Sequence, residues 1–598
     1  MTQSGDPFAE LVAAMLAGQL NWPTSELGLS APIRPTSLTL DGTMAEFVTF
    51  EQMFGRSSTI DEIIQGLNNY TLDAILIAIA RILHLLFRHS GGMKAAEREL
   101  VTLLPSVLEQ GYYALPESNP IVERVLISPQ AMLNLAKVAL TRHEPSEAQQ
   151  DWLPPLSIVI YGIAMASHLE RDILEEKPYW GQSSDLFVYM FANHIFNADD
   201  DDAAQIARLR ELEQLRKEDD YEKSAMYDEV YRTLTGASPK TARVIASSFW
   251  VGSQADPLLA ETYGFNAQIP EAERLAAIAT FAADTAMMKQ KIVAEHKRIG
   301  AGPEELKSWA FNTFRQFPVV RLSDGRYLVM HPRFLVDHIF DFDYDLRVTW
   351  SYNNENDRQR FWTFRGDAHE RLVGKSIEAA FPSSPNLSRR VWTNSELKKL
   401  WRGRRCDFLV DGGNAVLLIE VISRRMSELA VSGVSLIAVD KEIQTMVIDK
   451  AVQLDKSVTA LLESEASMLG SASFVRPIIP IIVATSGFPW NVSSSSVIWR
   501  QLKAKGLMQQ GRVKPLMVLD IKGVEAMESL VEQGHSVAET ILRGMDAGDA
   551  GLGFNHLIHR QHVELRRPTR LDALWPDEFR DMAKGFGFNP EDLNEPSN

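Results

Sequence analysis

Asp407 and Glu420 are the two residues of this chain whose types and spacing most clearly suit chemistry. They flank two apolar runs joined by Asp411-Gly412-Gly413-Asn414. Gly-Gly between such runs signals a β-hairpin, because the tight turns need φ > 0. With Gly412 and Gly413 at the turn centre, Asp411 faces Asn414 and Asp407 faces Leu418. Side chains alternate across a strand, so Leu418 and Glu420 share a face. Asp407 and Glu420 are then diagonal neighbours, roughly 7–8 Å apart. Two carboxylates that close repel unless a cation stands between them, so the pair is a candidate Mg²⁺ site. The competing reading is a pair of edge-of-sheet acids answered by Arg404, Arg405, Arg424 and Arg425.

The elements around the pair bear on its use. Asp440 reads as the cap of a helix running to about Glu463. At about 100° per residue, Ile443, Val447, Leu454, Val458 and Leu461 fall within about 60° of one another. Lys450 lies about 20° from Ile443 on that projection, whereas Lys441 and Lys456 point away. A lysine on a sheet-facing stripe is costly unless its ammonium finds carboxylates or water. Gln453 follows one turn on. The plain alternative is a stem that packs and a head that reaches solvent. On the other side of the pair, Lys398, Lys399, Arg402, Arg404 and Arg405 form the most basic short stretch in the chain, flanked by Trp392 and Trp401. Aromatic rings beside cations suit a nucleic-acid surface, and a solvated loop is the competing reading.

Composition sets outer bounds. At 598 residues the chain exceeds one ordinary core, so two to four domains are expected. A net charge of -17 argues against indiscriminate coating of nucleic acid but leaves room for a local basic groove. The single cysteine, Cys406, excludes an intramolecular disulfide and a cysteine-rich zinc site. Met1–Asp6 does not open a secretory signal. The longest apolar runs, Ala74–Ala80 and Leu156–Ala166, are shorter than a membrane span. A cytoplasmic protein with no membrane partner is the expectation.

Along the chain, residues 1–315 read as a mostly helical region. Helical patterns run from Leu72 to Phe87, Leu156 to Leu169, Ala203 to Lys217, Ser238 to Phe249, and Glu271 to Ile299. The acidic run Asp199–Asp202 is best read as a solvated loop, and His168, Glu170 and Asp172 do not match a zinc pattern. This region is the part free to meet a protein partner or trigger. Residues 316–350 hold a hairpin turning at Asp324-Gly325, then a helix. From 351 to 545 the order is helix (Phe361–Phe381, carrying Glu370), strands, helix, strand, helix, strand, helix. Residues 546–598 form a C-terminal extension. The expected class is multidomain α + α/β, with a central mixed sheet in the α/β part.

That order, with a helix glutamate, then an acid and a glutamate on paired strands, then a helix and two buried strands, resembles the restriction-endonuclease-like, or PD-(D/E)XK, nuclease superfamily over about residues 355–530. The resemblance implies that Asp407 and Glu420, with the Val421 carbonyl, hold one Mg²⁺ or Mn²⁺. Glu370 would bind through water or hold a second ion. It implies phosphodiester hydrolysis in nucleic acid, DNA foremost, on a fold that recurs in restriction, repair and anti-phage defence. The chain departs from the family at Ile422, where a lysine is expected. Members with a displaced lysine commonly supply it from the following helix, which points to Lys450. Arg424 and Arg425 could clamp a phosphate, but arginine stays protonated and makes a poor base. The competing expectation is an inactive nuclease fold serving as a nucleic-acid-binding or protein-interaction scaffold. The sequence does not set the oligomeric state.

Overall fold

The computed structural model describes residues 37–38, 44–88, 92–105, 109, 122–175, 202–261, 269–300, 310–339, 343–382, 390–401, 405–432, 435–469, 476–564 and 566–585. Met1–Asp6, Asp199–Asp201, Arg402 and Arg404 lie outside them. The described chain is mostly helical with mixed sheets, an α + α/β class.

In the first part, Leu72–Arg88 (α1), Pro129–Arg142 (α2) and Pro155–Glu175 (α3) share one core. Ser128 caps α2, its side chain accepting from Ala131 N–H, and Pro129 stands in the first turn where its missing donor does no harm. Asp202–Asp219 (α4), Tyr221–Thr235 (α5) and Pro239–Gly252 (α6) follow. Ile206, Leu209, Leu212 and Leu215, spaced for one helical face, are all buried.

The continuous helix expected from Glu271 to Ile299 is not formed. Glu271–Phe281 (α7) and Thr285–Arg298 (α8) are separated by a strand, Ala282–Asp284 (β1). The strand pairs in parallel with Val319–Arg321 (β2), and Asp284 caps α8 by accepting from Met287 N–H at 2.7 Å. Non-local pairing and a local cap together override the helical period. The hairpin of β2 with Tyr327–Val329 (β3) forms as its Asp-Gly turn requires, with Gly325 at φ 88°.

Downstream lie Asp343–Ser351 (α9) and the long helix Glu355–Ala380 (α10). A five-stranded sheet comes next: Val391–Thr393 (β4), Phe408–Asp411 (β5), Val416–Ile422 (β6), Ile478–Ala484 (β7) and Met517–Leu519 (β8). Its order is β8-β7-β6-β5-β4, antiparallel from β4 to β6 and parallel from β6 to β8. Alternation along the strands sends Phe408, Val410, Leu417 and Ile419 into one core with Ala368 and Leu372 of α10. Leu409, Val416 and Leu418 enter the other core. There they meet Asn394–Leu400 (α11) and the helical run after β6. The sheet is thus a middle layer between α10 and the helices carrying Leu397 and Leu454. Gly374 lets α10 press close, since a Cβ there would lie 3.1 Å from the Phe408 ring.

Two features of this half differ from the sequence reading. Ser435, not Asp440, caps the helical run after β6. That run is Leu436–Glu442 (α12), a π-helical turn Ile443–Ile448, then Asp449–Leu469 (α13). The last helix of the expected order, read from the sequence as Ile521–Leu542, breaks after Ile521–Glu532 (α14), where Gly534 takes φ 83°. The first part docks on this half through α4, whose Leu212 and Leu215 lie in the core of α10 and the sheet. Arg208 of α4 also forks onto Glu525 of α14 with two 2.6 Å bonds. In Thr569–Gly585 (α15), Arg570 ties Glu528, Glu211 and Ser376 together. No helix among the described residues is long and apolar enough to cross a membrane.

Candidate active site

The hairpin that carries the acidic pair turns through four residues, not two. Asp411 pairs with Val416, Leu418 with Leu409 and Ile419 with Phe408. Gly412 N–H donates to the Ala415 carbonyl at 2.9 Å, and Gly413 sits at φ 84°. Leu418 therefore faces Leu409 and not Asp407. The shift is by two residues, which returns every side chain to its own face. At the end of this ladder Asp407 N–H donates to the Ile419 carbonyl at 3.0 Å, and Asp407 Oδ2 accepts from Val421 N–H at 2.7 Å. The carboxylate stands in for the next rung of the sheet and is thereby fixed beside Glu420.

Asp407 Oδ1 also accepts from Asn394 Nδ2 at 3.2 Å. Asn394 opens α11 behind a capping box of Thr393 and Glu396. Pairing of Thr393 with Phe408 brings it to the start of β5. Glu420 shares a face with Leu418 and points to α13. There Lys450 Nζ donates to Glu420 Oε1 at 2.6 Å, and Gln453 Nε2 donates to Oε2 at 2.7 Å. Lys450 and Gln453 stand three apart, so they leave α13 on one side. Gln453 also donates to the Arg405 carbonyl at 2.7 Å, tying β5's approach to the same helix. Lys450 keeps a 25% exposed side chain whereas that of Glu420 is 1% exposed, so the ammonium sits at the mouth and the carboxylate inside.

Glu370 enters the same cleft from α10, across the sheet end. The cleft is about 470 Å³ and includes Thr363, Asp367, Glu370, Asn394, Lys398, Arg405, Asp407, Glu420, Lys450 and Gln453 in its lining. Its acids are held in their neutral form more than usual. Burial, then the nearby Asp407 charge, pushes Glu420 up to about 8 against the pull of Lys450. Burial, then Asp407 and Asp367, pushes Glu370 up to about 7. Burial raises Asp407 too, opposed by its bond from Val421 N–H and by Lys450. Lys450 and Lys398 together do not offset the burial of the three carboxyls.

Among the described residues, no group of three or more His, Cys, Asp or Glu side chains converges closely enough to hold a metal ion by itself. A Mg²⁺ ion asks for less: one or two carboxylates, the remaining positions going to water and phosphate oxygen. The hard oxygens of Asp407 and Glu420, with their unsettled charge, fit that demand.

No family model, curated protein or solved structure matches this chain.

Of the basic residues singled out in the sequence, Lys398 and Arg405 line the cleft, and Lys399 is exposed in the last turn of α11. Arg424 pairs with buried Glu442 at 3.3 Å, and Arg425 with buried Asp345 at 3.3 Å. Trp401 is not a surface ring: it is 4% exposed, and its Nε1 donates to Ser464 Oγ at 2.7 Å. Ile422 packs against the same core as Leu418, on the Glu420 side of β6.

Sequence reasoning missed Asn394, Asp367 and the clamp that seats α10. In that clamp Asp345 of α9 meets Arg365 of α10 at 2.6 Å, and Arg365 also donates to the Ser423 carbonyl at 3.0 Å. The Thr393-x-x-Glu396 pattern is a signal that could have marked a helix at Asn394, but only the β4–β5 pairing shows what the residue reaches.

Proposed function

We propose that the sheet domain is a metal-dependent nuclease of the PD-(D/E)XK kind that hydrolyses phosphodiester bonds, with DNA as the foremost substrate. One observation carries the reading: Lys450, from the helix after β6, sets its ammonium 2.6 Å from Glu420, the place left empty of charge by Ile422. Asp407 and Glu420 would hold one Mg²⁺ or Mn²⁺, and Glu370 would steady a water or second ion from the other wall. A bound divalent ion would supply Lewis-acid polarisation of the phosphate and a lowered pKa for water. Asp407 is oriented for this by Val421 N–H and Asn394. Lys450 would orient the attacking water and stabilise charge building on the phosphate. Lys398 and Arg405 would receive neighbouring phosphates of the substrate strand. A role in defence or genome maintenance follows by analogy of fold.

A second reading is a nuclease fold without turnover, acting as a nucleic-acid-binding or protein-interaction scaffold. It is favoured by the fact that both Glu420 oxygens already accept from side chains, Lys450 and Gln453. A carboxylate has about four acceptor positions, so these bonds leave room for an ion. Cleavage of plasmid and of circular single-stranded DNA with Mg²⁺ or Mn²⁺ separates the two. The nuclease reading expects wild-type cleavage that Asp407→Ala and Lys450→Ala each abolish. DNA retention with no cleavage by any form would establish the scaffold instead.

A further inference from the structure

The two walls of the cleft differ in charge. Lys398 and Arg405 stand on the α11 side, with Lys399 exposed beside them. The acid of that wall, Glu396, accepts from Thr393 N–H at 2.9 Å in the capping box. The facing wall is α10, which packs on the opposite side of the sheet and presents Asp367 and Glu370. Arg371 of α10, one turn beyond Asp367, is already paired: it meets Asp219 and, at 2.8 Å, Glu218. It also donates to the Leu215 carbonyl at 3.4 Å, so it fastens the end of α4. The next cation, Lys223, pairs with Asp220 at 2.6 Å. The α4–α5 corner therefore brings Glu218, Asp219 and Asp220 to the α10 rim. The Asp219 charge reaches the cleft, where it adds to the burial that raises Asp367, against a smaller pull from Lys223. Among these groups five carboxylates, Glu370 included, face two cations.

We infer that the cleft selects a single-stranded polynucleotide over the interior of a duplex, an inference that rests on the nuclease reading above. A single strand brings one line of phosphates, which can follow Lys398 and Arg405. In a duplex, grooves border the scissile backbone on both sides, about 6 Å and about 12 Å wide. The far edge of each groove is a line of phosphates from the other strand. Whichever way the duplex lies, one edge meets the α10 rim and its carboxylates. The helical first part of the chain thus shapes specificity by supplying that rim from α4 and α5.

The test uses the full chain in Ca²⁺ buffer. Fluorescence anisotropy compares a short single-stranded DNA with a dumbbell duplex of the same sequence closed at both ends. The single strand is expected to bind about tenfold or more tightly. Glu218→Lys with Asp219→Lys should close most of that gap by strengthening dumbbell binding and steepening its salt dependence by about 2 in log–log slope. Because these changes also cut the ties to Arg371, Glu218→Gln with Asp219→Asn provides a milder pair, expected to close the gap in part. Equal affinity for the two DNAs in the wild type overturns the inference and leaves the nuclease reading standing. So does a gap that neither pair of changes narrows. Failure of the wild type to bind either DNA overturns the nuclease reading itself, and the inference with it.

Discussion

The Lys450 ammonium lies 2.6 Å from Glu420 Oε1, although 30 positions of chain separate the two residues. The helix of Lys450 packs on the face of the sheet from which Glu420 emerges. Ile422 occupies the same side of β6 two residues further on and carries no charge. A cation has thus been brought to the acid from a neighbouring element and not from the strand itself. Lys450→Met should lower Mg²⁺-dependent cleavage by about 10²–10⁴-fold, the usual worth of a positioned proton-transfer group. Mn²⁺ binding, measured by calorimetry, should persist.

Moving the cation back to the strand should restore part of what Lys450→Met removes. The double variant Lys450→Met with Ile422→Lys is expected to regain cleavage above that of Lys450→Met alone. A double variant no more active than the single one would show that Lys450 does not act through its charge beside Glu420.

Asp407→Asn keeps the acceptor for Val421 N–H and removes the charge. Mn²⁺ affinity should fall by at least about tenfold, a loss of about 1.4 kcal/mol. Thermal stability without metal should hold or rise, because one of three mutually repelling acids is gone. Unchanged Mn²⁺ affinity in calorimetry would remove Asp407 from the proposed metal site.

The pH dependence has a definite sign. Glu370 and Glu420 are raised to about 7 and about 8, from unfolded values of about 4.3. The folded state therefore binds these protons more tightly than the unfolded state. Their contribution to stability is whole below pH of about 4.3 and is lost as pH climbs through about 7 to 8. A divalent ion displaces the same protons, so its affinity should increase across that window. Melting curves with and without Mn²⁺ should show a larger metal-induced rise in Tm at pH 8 than at pH 6. An equal rise at both would exclude these carboxyls as ligands.

The clamp that seats α10 is a buried ion pair, Asp345 with Arg365, each side chain 1% exposed. Removing one partner strands the other charge, which costs about 3–5 kcal/mol. Asp345→Ala should lower the urea midpoint accordingly, whereas Arg321→Ala, in an exposed pair with Glu261, should change it by less.

The amino-acid sequence by itself determined the elements with strong local signatures. Asp324-Gly325 set a hairpin because the turn needs φ > 0 there, and the alternating runs around Asp407 and Glu420 set two strands of opposite direction. Apolar spacing marked Ile443, Val447, Leu454, Val458 and Leu461 as one face, and all five are buried. The four-residue turn at Gly412 shifted the register but not the faces, because a shift of two preserves alternation. Tertiary structure alone decided the rest. Ala282–Asp284 became a strand because β2 was there to pair with it. Trp401 was drawn inward by the core under α11. Asn394 met Asp407 only through β4, and Arg371 met Glu218 and Asp219 only through the docking of α4. Local pattern encodes which face a side chain takes, but partners distant in sequence are chosen by packing. Packing depends on every element at once.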